Sequence, residues 1–308
     1  MEILVQFLLL ALGFVMLGKG ADWFVEGAAG IATRFGIPQL VIGLTIVAMG
    51  TSAPEAAVSI AAAMQGSADI TIGNIVGSNI MNILVILGLA AAITPLAVAR
   101  STVRIEMPFM LFITVLLYFL GRDGSISFMD GLILAACFVA YMAYLYKAAM
   151  QSDIDDDLQE VGLPMSRCLV GALGGLALII AGSKVTVDAA TALALYAGLS
   201  ERFIGLTIVA LGTSLPELFT SVAAARRGNA DIAIGNIVGS NIFNILFVVG
   251  LSALLVDIPF AQAFNFDTYV AIGAAALLWL CVMRTQRLGR LAGLAMLCCY
   301  AAYLVYIL

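Results

Sequence analysis

The sequence contains no histidine, and charged residues make up only 11% of its 308 residues. The absence of histidine removes the commonest acid–base group of enzymes and the commonest protein ligand of transition metals. Five cysteines are present, but they do not follow the spacing of a metal site, and we interpret them as small packing residues. An ion bound by this chain would therefore be held by oxygen atoms, which favours hard cations such as Na⁺ and Ca²⁺.

Charge is scarce because the chain is 63% hydrophobic, whereas a soluble domain is about half apolar and about a quarter charged. This composition predicts an all-α, polytopic membrane protein whose environment is the lipid bilayer. The formal net charge of −5 argues against a nucleic-acid partner, and no feature indicates a protein partner or a cofactor. The start of the chain, Met1-Glu2-Ile3, is not basic, so we expect no cleaved signal peptide.

Ten apolar runs are long enough to cross a membrane, since a spanning helix needs about 20 apolar residues. In order, the predicted spans are 3–28, 39–64, 70–94, 102–120, 126–148, 165–188, 203–226, 232–256, 267–284 and 290–308. A polar stretch, 151–164, divides the chain into two five-helix halves, 1–150 and 165–308. This acidic stretch is either a solvated cytoplasmic linker or a Ca²⁺ sensor, but it lacks an EF-hand pattern.

Lysine and arginine positions predict the orientation, because these residues accumulate on the cytoplasmic side. With the N-terminus outside the cell membrane, eleven of the 14 fall on the cytoplasmic side and three fall outside. The eleven are Lys19, Arg34, Arg100, Arg104, Lys147, Arg167, Arg226, Arg227, Arg284, Arg287 and Arg290. Ten spans then place both termini outside.

Two motifs occur twice, each time 162 residues apart. The first, ending in Gly-Thr-Ser-x-Pro-Glu, occupies 43–55 and 205–217. The second, containing Gly-Asn-x-x-Gly-Ser-Asn, occupies 72–82 and 234–244. Five spans separate the copies, and an odd number reverses the direction of the chain through the membrane. The halves are therefore predicted to be inverted repeats, which is typical of transporters with a binding site near the middle of the membrane.

Each first motif carries one carboxylate at membrane depth. Glu55 is the only charged residue in 39–64, and Glu217 is the only one in 203–225. A carboxylate at this depth is costly unless it is paired or faces water, and spans 2, 3, 7 and 8 contain no lysine or arginine in their interiors. A cation bound from solution would neutralise the negative charge of both residues. The alternative is a protonated glutamate that forms a hydrogen bond between helices.

Proline follows the hydroxyl residues of each first motif. Pro54 and Pro216 lack an N–H, so the carbonyls of Gly50 and Gly212 lose their helical donors, and each helix should break here. Irregular backbone is tolerated within a membrane only where it lines a cavity or is buried in protein. The freed carbonyls are neutral oxygen ligands, as are the hydroxyls of Thr51, Ser52, Thr213 and Ser214. With two carboxylates, they suit the 6–8 oxygens that Ca²⁺ takes, although each hydroxyl could instead bond to its own helix.

The second motifs place Ser78 and Asn82, and likewise Ser240 and Asn244, four residues apart on one face of a helix. Their oxygens are therefore able to face the glutamates. Asn79 and Asn241 should be turned away and bind backbone. The glycines in these motifs have the spacing of helix-packing residues, and we predict that packing is their role.

These motifs resemble the alpha repeats of the sodium/calcium exchanger family, within the wider calcium/cation antiporters. The motifs cover spans 2, 3, 7 and 8, and the count of ten helices covers the whole chain. The resemblance implies ion ligands from motif threonine, serine, glutamate and asparagine side chains and from an alanine carbonyl. Carried over residue by residue, they are Ala48, Thr51, Ser52, Glu55, Ser78, Asn82, Ala210, Thr213, Ser214, Glu217, Ser240 and Asn244. It also implies that the helices of spans 1 and 6 are long, tilted and able to slide.

The resemblance implies a secondary antiporter that exchanges Ca²⁺ for Na⁺ by alternating access. Proton-coupled relatives carry glutamate in the second motif, where this chain has Gly77-Ser78 and Gly239-Ser240, and this weighs against H⁺ coupling. Some members, including potassium-dependent ones, have aspartate at the position of Asn244. The alternatives are an antiporter coupled to H⁺ or K⁺, and a cation channel, for which broken helices and an inverted repeat are less typical. An intramembrane enzyme is disfavoured because neither histidine nor a Gly-x-Ser-x-Gly motif is present.

Overall fold

The computed structural model describes residues 2–65, 69–151, 164–198 and 210–307, and these residues form helices joined by short connections. Eight of the described helices are long and apolar enough to cross a membrane, and a bent pair makes a ninth. In chain order the helices are α1 (Glu2–Phe35), α2 (Gln39–Thr51 with Ala53–Met64), α3 (Ile70–Ile93), α4 (Thr102–Gly121), α5 (Phe128–Met150), α6 (Met165–Tyr196), α7 (Ala210–Thr213 with Leu215–Arg226), α8 (Ala230–Leu255), α9 (Ala263–Val282) and α10 (Arg290–Ile307). The start of the seventh predicted span, 203–209, and most of the acidic linker, 152–163, lie outside the described residues.

Helices α1 and α6 have 34 and 32 residues, which confirms that they are long, as the resemblance implies, and both extend beyond the predicted apolar spans. The predicted spans 3–28 and 165–188 were wrong at their C-terminal ends, because a helix does not stop where its apolar run stops. The α1 helix continues through Thr33 and Arg34 to Gly36, whose φ of +63° ends it two residues before Pro38. At 1.5 Å per residue, each helix is about 50 Å long and exceeds the hydrocarbon thickness of a bilayer, about 30 Å.

The two long helices pack backbone to backbone along a row of glycines. Gly13, Gly20 and Gly27 recur every seven residues on α1 and face α6. A Cβ atom added at Gly20 would lie 2.9 Å from the carbonyl oxygen of Gly175, closer than real Cβ contacts come. Small residues such as glycine let two helix backbones approach each other closely.

Helix α2 breaks where the proline of the first motif predicts. Its two parts meet at 51°, and Ser52 at the break has φ −80° and ψ 0°. Ser214 has nearly the same conformation in α7, with φ −93° and ψ 2°. The physical reason is the missing N–H of Pro54 and Pro216, together with the clash between each ring and the preceding turn.

Two short antiparallel ribbons were not predicted, and they display the symmetry of the repeats. Strand β1 (Leu96–Ala97) pairs with β4 (Arg287–Leu288), and β2 (Ser125–Ile126) pairs with β3 (Ile258–Pro259). An offset of 162 residues converts β1 into β3 and β2 into β4, so the two ribbons are equivalent. One ribbon joins the connection after α3 to the connection after α9, and the other joins the connection after α4 to the connection after α8. The class remains an all-helical membrane protein built from two repeat halves.

Helices α3 and α8 form the centre of the fold and are buried along most of their length. Both contain a π-helical turn that begins at an asparagine of the second motif, Asn82–Leu87 and Asn244–Val249. A wider turn at these points changes the direction in which the side chains point, and such turns are frequent at functional sites. The fold therefore brings both irregular stretches of each repeat into one buried central region.

Candidate cation site

The break in each motif helix puts its glutamate at the start of a new helix. Glu55 lies in the first turn of Ala53–Met64, and Glu217 lies in the first turn of Leu215–Arg226. Both side chains are fully buried. The partial positive charge of a helix N-terminus favours an acidic side chain there, which offsets part of the cost of burial.

The two glutamates are held crosswise by the serines of the opposite repeat. The Ser52 hydroxyl donates to Glu217 Oε1 over 2.8 Å, and the Ser214 hydroxyl donates to Glu55 Oε1 over 2.9 Å. Each carboxylate thus has one oxygen fixed by the other half of the molecule. The second oxygens, Glu55 Oε2 and Glu217 Oε2, are buried without a hydrogen-bond partner.

Four asparagines form a second crosswise arrangement between α3 and α8. Asn79 and Asn241 each donate a side-chain hydrogen bond to the other's backbone carbonyl, over 3.2 Å in both directions. Their side-chain oxygens accept from the amides of Asn244 and Asn82, over 3.2 Å and 3.0 Å. The expectation that Asn79 and Asn241 bind backbone is confirmed. The side-chain oxygens of Asn82 and Asn244 are left buried and without a partner.

Four buried oxygens therefore lack a donor in a fully two-fold pattern: Oε2 of both glutamates and Oδ1 of Asn82 and Asn244. Buried polar atoms without a partner are rare, and each requires an explanation. In the described residues the two ion pairs both involve Arg227, so no lysine or arginine neutralises Glu55 or Glu217. Carboxylate and amide oxygens are the ligands that Na⁺ and Ca²⁺ prefer, and the donor set fits such an ion.

The other predicted ligands lie around this centre, with different partners. Ser78 is buried, and Ser240 donates to the Ala48 carbonyl over 3.4 Å. Thr51 bonds back to the carbonyls of Val47 and Ala48, as the alternative for the hydroxyls anticipated. Thr213 is half-buried, and Ala210 begins the described part of α7.

Asn236 has a role that the sequence analysis did not assign. It accepts from the Thr51 hydroxyl over 3.0 Å and donates to Ser221 over 2.9 Å. Its repeat equivalent, Asn74, donates to Ser59 over 2.8 Å. These residues fasten the motif helices to one another. The sequence contained a signal for this role, because Asn74 and Asn236 occupy the same position in the two copies of the second motif.

The motif glycines of α8 pack against α2, as predicted. A Cβ at Gly235 would lie 3.0 Å from the Cα of Gly43, and one at Gly239 would lie 2.7 Å from the Leu44 carbonyl oxygen. The repeat equivalent of Leu44 is Leu206, which lies outside the described residues, so the packing of Gly77 stays a prediction. This close approach brings the second motif of one repeat onto the first motif of the other.

Ser183 of α6 is a further residue that sequence reasoning missed. Its hydroxyl donates to the Gly212 carbonyl over 2.7 Å. That carbonyl is one of the two that lose a helical donor to proline. No motif surrounds Ser183, so only the structure identifies it.

Comparison with known proteins places this geometry in context. A family model described as sodium/calcium exchanger protein matches the chain twice, over residues 5–147 and 168–308. Inner membrane protein YrbG of Escherichia coli (strain K12) is 39% identical over 302 residues, covering 92% of this chain and 91% of that protein. The sodium/calcium exchanger MaX1 of Methanosarcina acetivorans is 33% identical, covering 98% of each chain. A solved structure of the sodium-calcium exchanger NCX_Mj, soaked with 2.5 mM Na⁺ and 10 mM Sr²⁺, has a TM-score of 0.87 and 33% identity, covering 98% of this chain and 99% of that one.

Proposed function

The chain belongs to the sodium/calcium exchanger protein family, and from this premise we propose that it exchanges Ca²⁺ for Na⁺ by alternating access. It is a multi-pass membrane transporter, not an enzyme, as the sequence predicted. The finer proposal concerns the pair of ions. It is supported by the names of MaX1 and NCX_Mj, both sodium/calcium exchangers similar along almost their whole length.

The observation that carries the proposal is the set of four unpartnered buried oxygens between the repeats. Glu55 and Glu217 give this centre a formal charge of −2 when both are ionised. One Ca²⁺ neutralises that charge, and so do two Na⁺ ions. Because both ions require the same carboxylates, one must leave before the other is bound. Occupancy by either ion would neutralise the site and allow it to switch sides of the membrane, whereas an empty, doubly charged site should resist switching, which would make exchange obligatory.

We propose that the ligands are the twelve motif residues that the resemblance implies. The buried carboxylate and amide oxygens supply four positions, and the neighbouring hydroxyls and the Ala48 carbonyl supply others. Ca²⁺ takes 6–8 oxygens at 2.3–2.6 Å, so side chains from both repeats have to contribute together. The crosswise serine bonds support this, since each repeat already orients the carboxylate of the other.

Coupling to Na⁺ is favoured over coupling to H⁺ or K⁺ by two positions. Gly77-Ser78 stands where proton-coupled relatives carry glutamate, and Asn244 stands where potassium-dependent ones carry aspartate. A channel is disfavoured because the carboxylates are fully buried beneath crosswise contacts rather than lining an open path. The cell membrane is the proposed location, supported by the name of YrbG, with both termini outside.

The direct test is ⁴⁵Ca²⁺ flux in proteoliposomes under separate Na⁺, K⁺ and H⁺ gradients. Uptake should require an outward Na⁺ gradient and should not depend on the K⁺ or H⁺ gradient. Uptake that follows a pH or K⁺ gradient instead would refute Na⁺ coupling. Step-like single-channel currents in planar bilayers would favour the channel.

Glu55→Gln and Glu217→Gln test the site within the same assay. Each removes one charge but keeps the size and an acceptor for the opposite serine. Unit charges 4 Å apart attract by about 4 kcal/mol at an effective dielectric of 20, so each change should lower Ca²⁺ transport by about a hundredfold or more. Glu26→Gln is the control, because Glu26 is exposed on α1. Retained exchange in either variant would remove the carboxylates from the proposed site.

A further inference from the structure

A second buried carboxyl lies outside the central site, at the start of α4. Glu106 is 1% exposed and ends the π-helical turn Thr102–Glu106. Tyr144 of α5 donates to Glu106 Oε1 over 2.5 Å, and Oε2 has no hydrogen-bond partner. Both ion pairs in the described residues belong to Arg227, so no lysine or arginine there lies within 4 Å of this carboxyl.

Two more buried oxygens without a partner accompany it. The hydroxyls of Thr102 and Tyr141 are buried and have no hydrogen-bond partner. Thr102 begins the π-helical turn that Glu106 ends, and Tyr141 is three residues before Tyr144, which binds the carboxyl. Thr102 lies four residues before Glu106, and residues four apart are neighbours on a helix surface. Tyr141 and Tyr144 lie on one face of α5, with ring centroids 6.3 Å apart. Three unsatisfied oxygens in one buried cluster are unusual in a folded protein.

The repeat symmetry shows that the fold does not require a carboxyl at this point. The equivalent of Glu106 in the second half is Thr268, whose hydroxyl donates to the Phe264 carbonyl of its own helix over 2.7 Å. The surrounding turn is also different, since α9 is α-helical over Ala263–Val282 where α4 is π-helical. The first half therefore has both an extra carboxyl and an irregular turn that aims it at two hydroxyls.

We propose that Glu106, Thr102 and Tyr141 form a second cation site that takes a monovalent ion such as Na⁺. One carboxylate balances one positive charge, and the three unpartnered oxygens are hard ligands. Tyr144 positions the carboxyl through its other oxygen. The charged side chain nearest in sequence, Arg104, is exposed and lies two residues before Glu106, so it is turned away from the cluster. The site is separate from Glu55 and Glu217 and does not depend on which ions the central site exchanges.

The test uses the full-length Glu55→Gln/Glu217→Gln protein, in which the central site is neutral. Na⁺ is the probe, added as NaCl against choline chloride at constant ionic strength, with ²²Na⁺ binding and melting temperature as readouts. We expect saturable Na⁺ binding and a Na⁺-dependent rise in melting temperature. Adding Glu106→Gln should abolish both, whereas adding Thr268→Ala, at the equivalent position of the second half, should abolish neither.

Two milder changes keep the carboxyl and protect the test against misfolding. Thr102→Ala and Tyr141→Phe each remove one proposed ligand and should weaken Na⁺ binding severalfold. The proposal is overturned if the Glu55→Gln/Glu217→Gln protein binds no Na⁺, as expected of a Glu106 that is simply protonated. It is overturned equally if Na⁺ binds with unchanged affinity after Glu106→Gln.

Discussion

The Ser183 hydroxyl of α6 donates a hydrogen bond to the backbone carbonyl of Gly212 in α7, with 2.7 Å between the two oxygens. Pro216 deprives that carbonyl of its helical donor, so a long helix supplies the donor that the broken helix lacks. In the first repeat the equivalent of Ser183 is Ala21, which has no hydroxyl. The hydrogen bond therefore links the long helix of the second repeat, α6, to its broken helix, α7. Ala21 cannot make the equivalent bond in the first repeat.

Ser183→Ala should free the Gly212 carbonyl to bind a cation. Such a bond contributes about 1 kcal/mol, so we expect the Na⁺ concentration for half-maximal exchange to fall by up to roughly fivefold. Ca²⁺ flux measured against Na⁺ concentration checks this. Ser252→Ala is the matched control, since the Ser252 hydroxyl of α8 is buried and has no hydrogen-bond partner. An unchanged Na⁺ dependence would mean that this carbonyl does not take part.

The sequence predicted the eight spanning helices and the bent pair that the described residues contain, and the break at each proline, because each has a local signal. The seventh predicted span, 203–226, begins outside those residues. A single charged residue within the 26 positions of 39–64, Glu55, is visible without a structure. The crosswise bonds from Ser52 to Glu217 and from Ser214 to Glu55 were not predictable, because they depend on how the repeats interlock. The C-terminal end of α1 was missed for a different reason. Polar residues continue a helix into the interface, and its end is set by Gly36.

The glycine row between α1 and α6 predicts a position-specific effect of one methyl group. A Cβ at Gly27 would lie 2.5 Å from the Cys168 carbonyl oxygen, so Gly27→Ala must force the helices apart. Overpacking of this kind costs about 1–3 kcal/mol, and we expect a lower melting temperature in detergent together with slower exchange.

Gly18→Ala provides the control for this experiment on the same helix. A Cβ at Gly18 meets no described atom within 4 Å, and alanine favours a helix by up to about 1 kcal/mol over glycine. Its melting temperature should be unchanged or slightly higher. Equal destabilisation by the two substitutions would show that the close approach of α1 and α6 is not what Gly27 protects.

The inverted orientation predicts that the ends of α2 and α7 face opposite sides of the membrane. Gln65 follows α2 and should be external, whereas Arg226 ends α7 and should be cytoplasmic. Gln65→Cys and Arg226→Cys, each in a background with Cys298 and Cys299 changed to serine, can be labelled with a membrane-impermeant maleimide. Intact cells should label only the first variant, and both should label after permeabilisation. Labelling of both in intact cells would contradict the inverted arrangement.

Asn244→Asp should make transport sensitive to pH. The Asn244 amide donates to Asn79 Oδ1 over 3.2 Å, and its own oxygen is one of the four unpartnered atoms. A protonated aspartic acid can donate the same bond and should behave like asparagine. An ionised aspartate cannot donate, so it faces Asn79 Oδ1 as a second acceptor and adds a third negative charge beside Glu55 and Glu217. One Ca²⁺ then leaves a charge uncompensated, and the site should require an additional cation such as K⁺.

The measurement is Na⁺-driven Ca²⁺ flux between mildly acidic and mildly alkaline pH, with and without K⁺. We expect a nearly flat profile without K⁺ dependence for the unmodified protein, and a severalfold fall with rising pH for Asn244→Asp that K⁺ partly restores. Asn82→Asp should behave alike, because Asn82 makes the symmetric bond to Asn241 over 3.0 Å. Asn265→Asp, half-buried at the start of α9, should leave the profile flat. Superimposable profiles for Asn244→Asp and the unmodified protein would mean that this oxygen does not face the ions, because an added negative charge next to a bound Ca²⁺ would change the flux.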